Sequence, residues 1–189
     1  TVRSATPDDT QAMADFVHFA SEGLALYLWT RMAGPNGDPW ALGRERAGRD
    51  TGAFTWRNAI IRDDGGRPAA GLIGYELASR PEPTPTDIPA IFRPLQELEN
   101  LAPGTWYVNV LAAYPRHRGQ GFGTMLLGVA DAIAADLDTS GLSIIVADAN
   151  TSARRLYERC GYREIAHRTM VKDTWKSPGN AWVLLTKTR

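Results

Sequence analysis

The segment of the chain that decides its fold reads Tyr114-Pro115-Arg116-His117-Arg118-Gly119-Gln120-Gly121-Phe122-Gly123-Thr124. An alternating strand pattern, Thr105–Leu111, comes before it, and apolar residues recur at helical spacing from Phe122 to Leu137. The three alternate glycines remove side chains where an anion must approach the main chain. N–H groups at a helix start have no intrahelical partner, and the helix dipole adds partial positive charge there. The segment therefore predicts a cradle for a diphosphate.

The glycine spacing excludes two familiar phosphate motifs. The third glycine follows the second by two residues rather than three, which does not match the dinucleotide fingerprint. No Gly-Lys-Ser/Thr follows, so the segment is not a P-loop. The glycines alone are also compatible with a tight strand-to-helix turn that binds nothing, and both interpretations stay open at this point.

The remaining pattern predicts strands and helices on both sides of this turn. Downstream, Leu142–Ala147 reads as a buried strand and Thr151–Cys160 as a helix ended by Gly161. The other predicted elements are strands at Val2–Ala5, Phe54–Arg62, Pro68–Ser79, Tyr162–Val171 and Trp182–Lys187, helices at 8–32 (broken near 21–23) and 40–50, and a hairpin turn at 63–66. This order predicts a single α/β domain over residues 1–189 with helices packed on a sheet.

Residues 80–104 are the least regular part of the chain. Five prolines fall between Arg80 and Pro94, which excludes a regular helix or central strand there, although 91–101 can hold a short helix. Long irregular insertions in compact domains are often functional, and a proline-stiffened surface loop is the alternative.

Composition narrows the classes of function. The 189 residues include 21 basic and 21 acidic side chains, with no basic stripe of the kind that binds nucleic acid. No apolar run reaches the ~20 residues that span a bilayer. The first seven residues lack the apolar core of a signal peptide, and the single cysteine, Cys160, forms no internal disulfide. We therefore expect a cytoplasmic protein, with no membrane or nucleic-acid partner and no metal site.

Two motifs in order resemble the GNAT superfamily of acyl-CoA N-acyltransferases. Arg118-x-x-Gly121-x-Gly123, after a strand ending Leu111-Ala112-Ala113 and Pro115, is similar to motif A, which spans about 105–137. The segment 142–162 is similar to motif B, with Asn150, the helical Tyr157 and the closing Gly161-Tyr162. The resemblance implies a single GNAT domain: a mixed, mostly antiparallel sheet with a splayed parallel strand pair and helices on both faces.

The resemblance also implies an acetyl-CoA site. Backbone groups of Leu111, Ala112 and Ala113 would contact the pantetheine arm, and the Leu111 N–H would face the acyl carbonyl. An N–H aimed at a developing oxyanion lowers the barrier by preorganised electrostatics. Asn150 would bond the pantetheine region. The diphosphate would lie on the segment Arg118, Gly119, Gln120, Gly121, Phe122, Gly123 and Thr124.

Catalytic residues follow from the same resemblance. Tyr157 would donate a proton to the departing CoA thiolate, since a phenol with a reference pKa of about 10 is protonated at neutral pH. The alternative interpretation is that Tyr157 is a core residue of an amphipathic helix. Glu76 is the first candidate for the base that takes the amine proton, with an exposed strand glutamate as the alternative. Asn109 stands where some relatives carry a glutamate and cannot act as a base. Asp148 and His18 are weaker candidates.

The predicted reaction is direct attack of a primary amine, on a small molecule or peptide, on acetyl-CoA bound between the strands ending at Ala113 and Ala147. The acceptor site is expected around Phe16–Met32 and the 80–104 insertion. Many relatives form homodimers. Two rival functions stay open: a non-catalytic acyl-CoA sensor on the same fold, which Asn109 favours, and a nucleotide- or phosphate-binding domain without acyl chemistry.

Overall fold

The computed structural model describes all 189 residues. They form seven strands and six α-helices, with single 3-10 turns between some of them. The strands are β1 (Val2–Ser4), β2 (Ala59–Asp64), β3 (Arg67–Glu76), β4 (Trp106–Ala113), β5 (Leu142–Ala147), β6 (Arg163–Thr169) and β7 (Ala181–Lys187). The helices are α1 (Thr10–Ala20), α2 (Leu24–Ala33), α3 (Pro39–Ala47), α4 (Arg93–Glu99), α5 (Phe122–Asp136) and α6 (Thr151–Arg159).

One mixed sheet holds all seven strands in the order β1-β2-β3-β4-β5-β7-β6. The pairs β1–β2, β2–β3, β5–β7 and β6–β7 are antiparallel. The pair β4–β5 is parallel, with Trp106–Val108 in register with Leu142–Ile144. The α/β fold class and the mixed sheet predicted from the sequence are confirmed.

Contacts between residues cluster into two compact units. The first consists of residues 1–74 and 109–126, and the second of residues 75–108 and 127–189. The core of the first unit packs α1 against β2, β3 and the second half of β4, through Met13, Phe16, Ile61, Ile73 and Val110. In the second unit, β5 and β7 carry fully buried leucines, and α4 packs against β6 and β7.

Local chemistry explains where the first helices start and stop. Thr6 and Asp9 form a capping box ahead of α1. Glu22 and Gly23 adopt left-handed φ angles of 55° and 81°, which breaks the predicted helix 8–32 near the expected position. Asp38 accepts N–H bonds from Trp40 and Ala41 and starts α3 at Pro39.

The predicted strand Phe54–Arg62 was wrong in its first half. Trp56–Asn58 forms a 3-10 turn, and β2 begins only at Ala59. The hydroxyl of Thr55 accepts the N–H of Arg57, and the Arg57 guanidinium stacks 4.4 Å from the Trp56 ring. A side-chain cap of this kind competes with strand pairing, which composition alone does not show. The hairpin turn is also shorter than predicted, since only Gly65 and Gly66 lie between β2 and β3.

Replacing Gly71 with alanine is expected to destabilise the first unit. A Cβ at this β3 position would overlap ring atoms of Phe16, whose side chain is fully buried. Overpacking of this kind costs about 1–3 kcal/mol of unfolding free energy, measurable by urea denaturation. Gly128→Ala is the control, because a Cβ there meets nothing within 4 Å and the residue lies in α5, where alanine is favoured. Equal stability of the two variants would contradict the packing described for α1 and β3.

Candidate functional site

Tyr114 fixes the end of β4 in the first unit. Its N–H donates to the Ala69 carbonyl at 3.0 Å, and its hydroxyl donates to the Asp15 carboxylate at 2.6 Å. The ring packs 5.0 Å from that of Phe16. These contacts fix the direction in which the chain leaves β4. A 3-10 turn, Pro115–His117, follows, and the His117 N–H donates to the Tyr114 carbonyl at 2.8 Å.

The glycines of the predicted cradle adopt the conformation that only glycine tolerates readily. Gly119 and Gly121 have φ angles of +74° and +82°. A Cβ built on either glycine would meet no protein atom within 4 Å. Both glycines are exposed, so the surface they open faces solvent rather than a packed neighbour. This observation favours the ligand-binding interpretation over the packing interpretation.

Helix α5 presents free N–H groups beside these glycines. Its first intrahelical bond runs from the Met125 N–H to the Gly121 carbonyl at 3.0 Å. The N–H groups of Phe122, Gly123 and Thr124 come before this bond and have no i−4 partner within the helix. The Phe122 side chain is buried, while Gly123 is partly exposed and Thr124 is exposed. The first turn of α5 is therefore a helix N-terminus available to an anion.

Basic side chains surround this turn. The Arg118 Nε donates to the Ala113 carbonyl at 3.2 Å, and its guanidinium lies 5.3 Å from the Phe19 ring centroid. Arg62 comes from β2 and lies 4.4 Å from the Phe122 ring centroid. The Gln120 side chain folds back onto the Arg116 carbonyl at 3.1 Å, which stiffens the turn. The position of Arg118 places a permanent positive charge at the strand end.

His117 also lies at the turn. Its Nδ1 is buried without a hydrogen bond and lies 3.7 Å from the Asp64 carboxylate, and its ring lies 6.1 Å from that of Phe122. Its Nε2 accepts a hydrogen bond from the Arg116 Nε at 3.1 Å, which links the ring to a neighbouring basic side chain.

Leu111, Ala112 and Ala113 form the last three positions of β4 and are all partly buried. Ala112 packs with Val110 on the core of the first unit, so Leu111 and Ala113 point to the opposite sheet face. The segment leads directly into Tyr114 and the cradle, which puts the predicted pantetheine and diphosphate contacts of residues 111–124 in one unit.

Asn150 precedes α6 as its N-cap and Tyr157 lies on α6, both in the second unit. The Asn150 Oδ1 accepts the Ala153 N–H at 3.2 Å and caps the helix, which leaves its amide NH₂ for other partners. Tyr157 is 6% exposed, and its ring centroid lies 6.2 Å from that of Tyr162. Their proposed roles toward the cofactor stay predictions.

The base candidates differ in their surroundings. Glu76 is the exposed last residue of β3. Burial disfavours ionisation of Asp148, but N–H groups of Asn180, Ala181 and Ala149 outweigh it and hold the pKa of Asp148 below its usual range. A carboxylate held in this way is a weak base. His18 packs beside Trp40 and Phe19 in the first unit, with a buried Nδ1 that has no hydrogen bond.

A cleft of about 270 Å³ opens in the second unit between the end of β3, the irregular segment that follows and α4. Asn100 fixes this segment, because its side chain donates to the Glu82 carbonyl at 2.7 Å and accepts the Glu82 N–H at 3.3 Å. The cleft is lined by Tyr75, Glu76, Leu77, Ala78, Arg80, Pro81, Glu82, Gln96, Glu99, Asn100 and Pro103. Residues of the 80–104 insertion thus form most of the lining of this cleft.

Glu99 is the unusual titratable group of this cleft. Burial, together with the nearby negative charge of Glu82, raises the pKa of Glu99 to about 7. Tyr75 and Tyr107 pack edge to face at 5.7 Å, and burial plus the charge of Glu99 raises the pKa of both phenols. The phenols therefore stay neutral while Glu99 titrates near neutral pH.

Sequence reasoning missed Arg62 and Glu99. Arg62 is 60 residues from Phe122 in the chain, and only the fold of β2 brings it to the cradle. Glu99 is one of two acids in the short helix α4, and nothing in its local sequence marks it as partly buried. The proline-rich character of residues 80–94 was the single sequence signal for this region.

Two further properties bear on the site. No group of three or more His, Cys, Asp or Glu side chains is arranged to hold a metal ion. None of the helices combines the length and the apolar character needed to cross a bilayer.

Comparison with known proteins assigns the chain to a protein family. The sequence model of the acetyltransferase (GNAT) family matches residues 26–162. The chain therefore belongs to the GNAT acetyltransferase family, as its two motifs predict. Comparison with the sequences of curated proteins returns no match.

Solved structures share the fold over all or part of the chain. A protein described as an acetyltransferase is 20% identical with a TM-score of 0.68, and the match covers 100% of this chain and 98% of that one. An N-acetyltransferase from Staphylococcus aureus Mu50 is 15% identical with a TM-score of 0.65, over 98% and 99% of the two chains. A GNAT family acetyltransferase from Elizabethkingia anophelis, solved with acetyl-CoA bound, is 18% identical with a TM-score of 0.51, over 69% and 75%.

Proposed function

We propose that this protein transfers an acetyl group from acetyl-CoA to a primary amine. The observation that carries the proposal is the anion cradle at the start of α5. Gly119 and Gly121 open the backbone at positive φ, the first turn of the helix has free N–H groups, and Arg118 and Arg62 supply positive charge. This arrangement suits the diphosphate of CoA, and membership of the GNAT family supports it. The Elizabethkingia relative is described with acetyl-CoA bound.

The proposed reaction needs no acyl-enzyme. The amine nitrogen attacks the thioester carbonyl carbon, the C–S bond breaks, and the CoA sulfur takes a proton. The backbone N–H of Leu111 stabilises the developing oxyanion, and Tyr157 supplies the proton to the thiolate. A carboxylate, with Glu76 as the first candidate from the sequence, accepts the proton that the amine loses. Asn150 holds the pantetheine region through its free amide NH₂.

Incubation of the protein with acetyl-CoA and a panel of primary amines tests the proposal. We expect time-dependent formation of an acetylated amine by mass spectrometry, together with stoichiometric free CoA thiol. Binding of acetyl-CoA without any product, across alkyl amines, amino acids and lysine peptides, would favour the sensor function instead. Asn109 is the residue that supports that alternative, because it stands on β4 where some relatives carry a glutamate.

Replacing Tyr157 with phenylalanine is expected to lower kcat about 100-fold, since loss of a general acid typically costs at least this much. Affinity for acetyl-CoA should change far less, because only one hydroxyl is removed. Tyr162→Phe is the matched control. Its ring lies beside that of Tyr157, and its buried hydroxyl has no hydrogen bond, so its loss should leave kcat unchanged. Equal rates for both variants would remove Tyr157 from the mechanism.

A further inference from the structure

An aromatic ring of α1 lies against Arg118, the first residue of the cradle. The Arg118 guanidinium lies 5.3 Å from the centroid of the Phe19 ring. At this distance a cation is attracted to the face of an aromatic ring. Arg118 is exposed and Phe19 is partly buried, so the ring restricts a side chain that is otherwise open to solvent.

Contacts within the first unit hold the Phe19 ring in place. It packs edge to face on Tyr114 at 6.1 Å, and Tyr114 is fixed by the Phe16 ring and by its hydrogen bond to Asp15. Burial and the bond to the Asp15 carboxylate raise the pKa of Tyr114, so the phenol stays neutral and keeps donating at neutral pH. Asp15 and Phe19 are four residues apart and lie on the same face of α1. One face of α1 therefore anchors the end of β4 and contacts Arg118.

The terminal NH₂ groups of Arg118 have no acceptor in the protein. Its Nε donates to the Ala113 carbonyl at 3.2 Å, and no acidic side chain forms an ion pair with its guanidinium. A guanidinium carries its N–H donors in a rigid plane that suits phosphate oxygens. Gly119 follows directly and opens the backbone at a φ of +74°. The remaining donors of a permanent cation are therefore available beside the cradle.

Restraint before binding matters for a long side chain. A free arginine samples many rotamers, and immobilising it when a ligand binds costs conformational entropy. The Phe19 ring and the Ala113 carbonyl restrict Arg118 without help from a ligand, so less of this cost remains when a diphosphate binds. An aliphatic side chain at position 19 would fill part of the same space but would not attract the cation.

We propose that Phe19 is a positioning residue of the cofactor site, which orients the Arg118 guanidinium toward the diphosphate of acetyl-CoA. The inference rests on the proposed function, because it takes acetyl-CoA as the ligand. It assigns Phe19 to the cofactor site rather than to the acceptor site expected around Phe16–Met32. Phe19 contacts no phosphate itself and acts through Arg118.

Calorimetric titration of a double-mutant cycle with acetyl-CoA tests the proposal. Phe19→Leu should raise the dissociation constant about 2- to 5-fold, the size expected for one exposed cation–π contact. Arg118→Ala should raise it about 10- to 100-fold, as for loss of a charged hydrogen-bond donor. In the Arg118→Ala background, Phe19→Leu should cause no further loss, because the ring acts only through the guanidinium. Independent effects of the two substitutions, which multiply in the double variant, would overturn the proposal.

Three comparisons separate positioning from a purely structural effect. Phe19→Tyr retains the ring and should bind acetyl-CoA like the unchanged protein. Phe54→Leu removes another partly buried ring of the same core, which stacks on Trp29 and on no arginine, and should also leave affinity unchanged. S-acetylpantetheine, which carries the thioester but no diphosphate, should bind equally to Phe19→Leu and to the unchanged protein. Weaker binding in any of these three comparisons, to the extent seen for Phe19→Leu with acetyl-CoA, would contradict the role of Phe19.

Failure of this inference is distinguishable from failure of the proposed function. Tighter binding of acetyl-CoA than of S-acetylpantetheine by the unchanged protein reports the diphosphate site without reference to Phe19. If that preference holds while Phe19→Leu binds acetyl-CoA normally, only the role of Phe19 is wrong. If Phe19→Leu raises the KM of the amine alone, the residue belongs to the acceptor site and the inference is overturned. Equal binding of the two ligands by the unchanged protein would remove both the diphosphate site and the role of Phe19.

Discussion

Replacing Gly121 with alanine is expected to weaken acetyl-CoA binding about 10- to 100-fold. Gly121 has a φ of +82°, and a Cβ there projects into the open surface that the diphosphate would occupy. Displacing the phosphate oxygens from even one backbone N–H removes a charge-assisted hydrogen bond, and loss of such a bond corresponds to a change of this size. Isothermal titration calorimetry measures the change directly.

Gly66→Ala is the matched control for backbone strain. Gly66 has a φ of +77°, and a Cβ there also meets nothing within 4 Å, but the residue lies in the β2–β3 hairpin turn. Each substitution should cost about 1–2 kcal/mol of stability, because each forces an L-residue into left-handed geometry. Only the Gly121 variant should lose affinity. If both variants bind acetyl-CoA like the unchanged protein, the α5 turn is not the diphosphate site.

Replacing Glu99 with glutamine is expected to stabilise the protein at pH 8 by about 1–3 kcal/mol. The pKa of Glu99 is raised from 4.5 to about 7 in the folded protein, so the folded state holds a proton that the unfolded state has released between these values. The free energy of unfolding of the unchanged protein therefore falls as pH rises from about 4.5 to about 7. Above pH 7 the whole cost of a partly buried carboxylate without a basic partner is present, and glutamine avoids it.

Urea denaturation at pH 4 and pH 8 checks this expectation. The advantage of Glu99→Gln should be large at pH 8 and small at pH 4, where the glutamate is mostly protonated in both states. Glu45→Gln, an exposed position on α3, should show no such difference between the two pH values. A Glu99→Gln variant that is less stable at pH 8 would mean that the carboxylate is paired in the folded protein.

Features encoded by adjacent residues could be predicted from the sequence. The cradle is one, because the glycines, the strand end and the helix start lie within eleven residues and need no distant partner. The helix break at Glu22-Gly23 and the helix end at Gly161 are others, since left-handed geometry selects glycine. The glycine turn and the Gly161 helix end belong to the two motifs on which the family resemblance rests.

Features set by tertiary packing could not be predicted. Arg62 reaches Phe122 only because the β2–β3 hairpin packs beside the cradle. The pKa of Glu99 depends on burial of α4 and on Glu82 from a separate segment, and periodicity reports neither. The prediction of a strand from Phe54 was wrong because the Thr55 hydroxyl caps a turn that begins at Trp56. Composition alone does not reveal this local contact.

Comparison of acetyl-CoA with S-acetylpantetheine tests the central claim most directly. The two ligands carry the same thioester and pantetheine arm, but only acetyl-CoA carries the diphosphate and the nucleotide. If the backbone of Arg118–Thr124 holds the diphosphate, calorimetry should show acetyl-CoA binding at least about 100-fold tighter, and Gly121→Ala should weaken acetyl-CoA while leaving S-acetylpantetheine unchanged. Equal affinity for the two ligands, or equal loss of both in Gly121→Ala, would contradict a diphosphate site at the start of α5.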